Sequence, residues 1–334
     1  MRDIAEAAGV SISTISLVLN DRPGARISSS TRSRVQAVAQ ELGYRPNRLA
    51  RGLQSGTSRF IGLLSEGVAT SPFAGQILQG AQDEAWANGF VLLVVDSDGS
   101  PEHDAAAIRM MSEHRAVGIL YSTWYHHAIS LPEELDASDH VLVNCFDPSR
   151  EVPAVLPDEA SGGLAATRAL LAACDGGTVF LNTTQDSPAR IGRLEGYERA
   201  HEEAGRSHHA RVIDFDPDKY GGFQEAGFEV VSRLVEANDR PQGIFCYNDR
   251  VAMGVYEALR CGGLRIPDDV AVVGFDNQEV IAAHLRPPLT TVALPHYELG
   301  RQGVRTLLGL EERRTQLLEC PLVLRKSTAT ETTH

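Results

Sequence analysis

The sequence predicts an α/β protein in which a small three-helix head precedes a body of two doubly wound, parallel-sheet lobes. Three observations carry this. Residues 1–45 show short helical stripes punctuated by glycine, and from Arg59 onward strand-like and helix-like runs alternate. The charge is also divided. Residues 1–60 hold nine arginines, no lysine and four acids, a balance of +5, while the other 274 residues set 22 basic groups against 40 acids, a balance of −18. A basic head on an acidic body suits a nucleic-acid-binding module whose body repels DNA. A merely solvated basic face is the plainer alternative.

The bulk properties narrow the class. A chain of 334 residues, 43% hydrophobic, has room for two or three domains with buried cores. No apolar run approaches the roughly 20 residues that span a bilayer, and no signal peptide is visible at the start. Five cysteines, odd in number and without a CxxC pair, fit a reduced compartment. The expectation is a cytoplasmic protein, associated with the nucleoid, with no membrane partner.

In the head, Ile4, Ala5 and Ala8 form a stripe that ends at Gly9. Ser11 is placed to cap a second helix with buried Ile15, Val18 and Leu19. A third helix is expected from about Ser28 to Leu42, carrying Val35, Val38 and Ala39 and closing at Gly43. Three short helices with a tight turn between the first two make a helix-turn-helix. In "GVSISTISLVLN" the burial of Ile15, Val18 and Leu19 leaves Ile12, Ser13, Ser16 and Leu17 outward. Hydroxyls there can reach bases or phosphates, and aliphatics can pack on thymine methyls. A plain three-helix bundle would be more polar on that face. Next, "YRPNRLARGLQSGTSR" reads as a short helix opened by Pro46 and ended by a flexible "SGTS". A helix so short needs a partner to fold upon.

In the body, strand-like runs are read at 60–66, 90–98, 116–123, 140–146, 154–159, 178–183, 210–216, 242–248 and 270–276. Their ends are rich in polar groups: Asp96 and Asp98, Tyr121, Asn144 and Asp147, Asp158, Asn248 and Asp249, Asp276 and Asn277. Any one of these could be only a helix cap, and Asp249 is expected to cap "RVAMGVYEAL". Together they suit a polyhydroxylated ligand, because ligands of such folds sit beyond the carboxyl ends of the strands.

The runs "DIAEAAGVSISTISLVLN" and "STRSRVQAVAQELGYRPNRLARGL" resemble the lactose-repressor/galactose-repressor (LacI/GalR) family of bacterial regulators. The likeness continues through "RLEGYERA", "NDRVAMGV" and "VVGFDNQEV…LRPPLTTV". It implies a DNA-binding domain at 1–44, a hinge helix and linker at 45–58, and a periplasmic-binding-protein-like effector domain at 59–330. The chain would cross between lobes near 159, 288 and 319, giving lobe one 59–159 plus 289–318 and lobe two 160–288 plus 319–330. Leu53 matches a leucine wedged between base pairs in the minor groove, and Ala50 would face the same groove. The DNA-binding set is then Ser11, Ile12, Ser13, Thr14, Ser16, Leu17, Asn20, Arg26, Tyr44, Asn47, Arg48, Ala50 and Leu53. The effector set is Phe73, Asp98, Tyr121, Asn144, Arg193, Asn248 and Asp276, with Arg193 foremost and Arg190 behind it. The sequence departs from the family where only Met1 and Arg2 precede "DIA": either the first helix lacks its usual threonine cap or the native start lies upstream. It departs again at Leu17, where a base-reading polar residue is common. "CDGG" (174–177) replaces a Gly-His as a loop difference.

The resemblance implies a dimeric repressor of a pseudo-palindromic operator, released by a small sugar-like inducer. A purine-like corepressor would reverse the polarity. A solute receptor leaves the basic head unexplained, and a sugar-modifying enzyme would require Asp98, Asp276 and Arg193 to act as catalysts. No cofactor and no metal are expected. The pairs His126-His127 and His208-His209 read as solvated loop histidines, Cys246 as core, and the tail lacks the heptads of a tetramerising coil.

Overall fold

The computed structural model describes residues 2–19, 27–41, 59–71 and 74–328, without the side chains of residues 2, 3, 12, 16, 19, 29, 40 and 41. The chain divides into two units, Met1–Ser58 and Arg59–His334.

The first unit holds α1 (Arg2–Ala8), α2 (Ile12–Leu19) and α3 (Ser29–Glu41). Helix α1 ends where Gly9 takes φ +63° and the Val10 N–H reaches back to the Ala5 carbonyl at 3.1 Å. The Thr14 N–H donates to Ser11 Oγ at 3.1 Å, so Ser11 caps its helix as expected, and the Thr31 N–H donates to Ser28 Oγ at 3.2 Å, so Ser28 caps the third helix in the same way. Ile4, Ala8, Ile15, Val18, Val35 and Ala39 close one apolar core. The expected end of α3 at Leu42 and Gly43 lies outside the described residues.

The second unit begins with β1 (Phe60–Glu66), α4 (Gly75–Ala87), β2 (Val91–Asp96), α5 (Pro101–Glu113), β3 (Ile119–Ala128), β4 (His140–Phe146) and β5 (Ala154–Pro157). It continues through α6 (Glu159–Ala173), β6 (Thr178–Thr183), α7 (Pro188–Glu203), β7 (Ala210–Phe215), α8 (Pro217–Tyr220), α9 (Phe223–Glu236), β8 (Gly243–Cys246), α10 (Asp249–Cys261), β9 (Ala271–Asp276), α11 (Glu279–Ala282) and β10 (Thr290–Ala293). It ends with α12 (His296–Leu307), β11 (Gln316–Leu318) and β12 (Leu322–Val323). Proline at the first helical position, behind a serine or aspartate cap, opens α5, α7 and α8.

These strands build two six-stranded sheets, ordered β11-β5-β4-β3-β1-β2 and β12-β10-β9-β8-β6-β7. Among the described residues only β12 runs antiparallel to its neighbour. Both sheets share one winding: the first strand of each lobe lies one place in from the edge, between the second and third strands, and the order reverses beside it. That reversal leaves a crevice at the carboxyl ends of neighbouring strands, where ligands of such sheets bind. Strands β1, β4, β6 and β8 are buried along both faces, which is why their sequences run apolar without alternation.

The chain leaves the first lobe between β5 and α6. It returns only after β10, because β10 pairs with β9 while α12 packs on α4 and β4. The middle crossing therefore falls between 293 and 296, not near 288. The prolines at 287 and 288 look like the breaker, but they precede a short buried strand that still belongs to the second sheet.

Candidate functional site

On α2, Ser13 is exposed and Leu17 half-buried, so both stand away from the core formed by Ile15 and Val18. Ser11 Oγ lies 2.7 Å from Ser13 Oγ and 2.8 Å from Thr14 Oγ1, a hydroxyl cluster at the start of the helix. Ile12 and Ser16 lie on α2, with side chains outside the description. Asn20, Arg26, Tyr44, Asn47, Arg48, Ala50, Leu53 and Phe73 lie outside the described residues altogether.

In the body, the residues that converge are Arg193 and Asp276, joined by Glu159, Tyr247 and Phe275. Arg193 rises from α7, the helix that follows β6, and Tyr247 directly follows the last residue of β8. These two strands flank the point where the second sheet reverses its order. The Arg193 Nε–H donates to Glu159 Oε2 at 2.9 Å, an Nη1–H donates to the Tyr247 carbonyl, and Nη2 lies 3.4 Å from Asp276 Oδ1. The guanidinium carbon sits 3.7 Å from the centroid of the Phe275 ring and 4.7 Å from that of Tyr247. Packing fixes its height: a Cβ on Gly163 of α6 would lie 2.6 Å from the Arg193 carbonyl oxygen, so α6 and α7 touch backbone to backbone.

The electrostatics follow from that enclosure. The Arg193, Glu159 and Asp276 side chains are 4%, 5% and 12% exposed. Burial works against each charge. For Arg193, the Glu159 and Asp276 carboxylates outweigh it and hold the guanidinium above its ordinary value. For Glu159, Arg193 outweighs it and the carboxyl falls below its ordinary range. For Asp276, burial wins and the pKa is pushed up to about 6.

The remaining expected effector residues have local partners. Tyr121 donates its hydroxyl to buried Asp104 at 3.0 Å, within the first-lobe core. The Asn144 amide donates to the Thr123 carbonyl at 3.0 Å and pins a bulge between Ser122 and His127 of β3. Asn248 Oδ1 accepts the Val251 N–H at 2.9 Å, so Asn248 is the cap of α10. Asp249, the cap expected from the sequence, instead binds Thr291 Oγ1 at 2.6 Å and the Gln278 N–H at 2.7 Å. Arg190 binds the Thr183 carbonyl at 2.7 Å. Asp98 is exposed. Asp98, Asn144 and Asp276 share one feature, left-handed backbone with φ of +53°, +62° and +98°. Non-glycine residues held there cluster where the surroundings over-determine them, often at functional sites.

Four groups escaped the sequence. His126 is not a solvated loop residue: it lies on β3, is buried, and brings Nδ1 within 3.7 Å of Glu159 Oε1. Adjacent histidines suggested a loop, whereas the bulge carries one ring inward. Trp124 and Tyr125 stand partly exposed on the same bulge, their centroids 4.7 Å apart, and Tyr125 stacks on His127 at 4.1 Å. His296, at the start of α12, is buried and its pKa is driven down to about 4 by burial. Glu159 was hidden one position behind Asp158, which caps α6 through the Ser161 N–H. A strand ending in two successive acids was the available signal. Among the described residues no cluster of three or more His, Cys, Asp or Glu is arranged to hold a metal, and no helix is long and apolar enough to cross a membrane.

Known proteins with the same organisation fit this geometry. Residues 1–47 match the family model for bacterial regulatory proteins of the lacI family, and residues 165–328 match the periplasmic binding protein-like domain. The sucrose operon repressor of Escherichia coli is 33% identical over 340 residues, covering 98% of this chain and 99% of that protein. The transcriptional repressor PurR of Vibrio atlanticus is 30% identical, covering 92% and 90%. The lac repressor dimer solved with operator and the anti-inducer ONPF superposes with a TM-score of 0.79 at 25% identity, covering 98% of each chain. With a helix-turn-helix head, two like-wound lobes and relatives matched from end to end, the chain belongs to the LacI family of bacterial transcriptional regulators.

Proposed function

We propose that this protein is a cytoplasmic, nucleoid-associated, dimeric repressor that releases a pseudo-palindromic operator when a sugar enters between its lobes. The observation that carries the reading is the Arg193–Asp276 pair at the strand-order reversal of the second sheet. It offers N–H donors and a carboxylate acceptor side by side, which matches adjacent hydroxyls of a pyranose or furanose. The partly exposed Trp124 and Tyr125 give the first lobe apolar faces on which a sugar ring can stack. In the head, the hydroxyls of Ser11, Ser13 and Thr14 are the groups to meet DNA, with Leu53 as the wedge. Edge strand β2 bears exposed Val91, Leu93 and Val94, and α4 bears exposed Trp86. An apolar edge of this kind is suited to burial against a second copy. The relatives matched along the whole chain are transcriptional regulators, which supports reading this protein as a regulator and not an enzyme.

Ligand and operator must then be linked, each changing the other's affinity by one factor. The test is a thermal-shift screen of sugars and purines, followed by operator release with each hit. A sugar that stabilises the protein and releases DNA supports the reading. A purine that stabilises it and tightens DNA binding replaces the inducer with a corepressor.

A further inference from the structure

We propose that Glu159 sets the charge class of the effector, so that the Arg193 site takes an uncharged polyhydroxylated ligand and excludes phosphorylated or carboxylated ones. This rests on the functional reading above and sharpens it. A buried arginine beside a ligand crevice is ordinarily the residue for phosphate or carboxylate, which its planar fork of donors matches. Here the fork is already engaged. Nε is held by Glu159 at 2.9 Å, Nη1 by the Tyr247 carbonyl, and Nη2 faces Asp276 at 3.4 Å.

The charge balance points the same way. One guanidinium is set against two carboxylates, and all three side chains are nearly dry. An arriving phosphate would bring its charge beside both carboxylates, where water cannot screen the repulsion. The nearby basic groups are committed too. Arg190 lies 3.5 Å from Asp214, Arg325 donates to Asn277 Oδ1 at 2.7 Å, and His127 lies 3.6 Å from Glu66. The charge of Arg250 bears on Asp276, and His126 faces Glu159. A neutral hydroxyl meets no such penalty. It can donate to Asp276, the most accessible member of the cluster, and accept from the remaining Nη hydrogens of Arg193.

The experiment uses inorganic phosphate as the probe on the full chain. Melting temperatures are compared in phosphate and in chloride at matched ionic strength for the wild type, Glu159→Gln and Asp276→Asn, with circular dichroism confirming that each is folded. The wild type is expected to melt alike in both salts. Glu159→Gln, with the fork partly freed, is expected to gain a phosphate-dependent rise of roughly 3 °C at about 10 mM, corresponding to a Kd of about 1 mM. Asp276→Asn removes the other carboxylate and carries the same test should Glu159→Gln not fold. A phosphate-dependent rise in the wild type overturns the proposal, as does the absence of any gain in the folded variants. Should Arg193→Ala remove a wild-type rise, the charge assignment fails while Arg193 remains the ligand residue. Failure of every sugar in the screen bears on the functional reading and leaves the phosphate comparison readable.

Discussion

Substituting Gly163 by alanine tests whether the contact between α6 and α7 sets the position of Arg193. The nearest atoms to a new Cβ would be the Arg193 carbonyl oxygen, Cα and carbonyl carbon, at 2.6, 2.8 and 3.1 Å. All three are backbone, so no side chain can swing aside. Carbon atoms settle near 3.5 Å, so α7 must retreat by roughly 0.7 Å. Glu159 sits at the start of α6, and the same retreat stretches its 2.9 Å bond from Arg193 Nε beyond hydrogen-bonding range. Alanine gains about 1 kcal/mol of helix propensity over glycine. Against that stand an overpacking cost of about 1–3 kcal/mol and a weakened charge-assisted bond of about 1.5–3 kcal/mol. The net is a loss of about 3 kcal/mol, or a melting temperature lower by about 5 °C for a unit of this size. Differential scanning calorimetry measures it, with Gly177→Ala as the control, since a Cβ there meets nothing within 4 Å. A Gly163→Ala protein as stable as the wild type would show that the helix contact has slack and does not fix Arg193.

Three further outcomes are expected. Leu53→Ala should weaken operator binding roughly 30-fold in a fluorescence-anisotropy titration, the equivalent of about 2 kcal/mol of lost leucine burial, while sugar affinity is kept; an unchanged operator affinity removes the wedge role. Trp124→Ala should weaken binding of a sugar found in the screen about tenfold through lost ring stacking, measured by calorimetric titration; an equal affinity takes Trp124 out of the site. Asp276 has its pKa raised from 3.8 to about 6 by burial, so the folded state binds its proton more tightly than the unfolded state. The stability this confers is present below pH 4 and is lost as pH rises through 6. Asp276→Asn should therefore be more stable than the wild type above pH 6, by up to about 3 kcal/mol, with the difference closing towards pH 4 in urea titrations. A difference that does not change with pH would refute the assignment.

The sequence by itself determined most of the chain's described elements. Glycine at 9, serines at 11 and 28 and the stripe of Ile15, Val18 and Val35 are local signals, each read within one turn or one cap, and the helices of the head follow them. Strands such as β1 and β4 were legible because an element buried on both faces must be apolar throughout. The short strands β10, β11 and β12 were not legible, because two to four residues carry no period and the prolines before β10 masked it. Arg193 and Asp276 stand out in the sequence, but their partner Glu159 does not. Asp158 and Glu159 are adjacent and chemically alike, yet the turn into α6 sends one to cap the helix and the other to a guanidinium 34 residues away. His126 is similar: only the bulge held by Asn144 carries its ring inward to Glu159. Which acid meets which base, and whether a histidine faces water or a carboxylate, depends on how separate elements pack. That long-range information, absent from any local stretch of sequence, was decided by the tertiary structure alone.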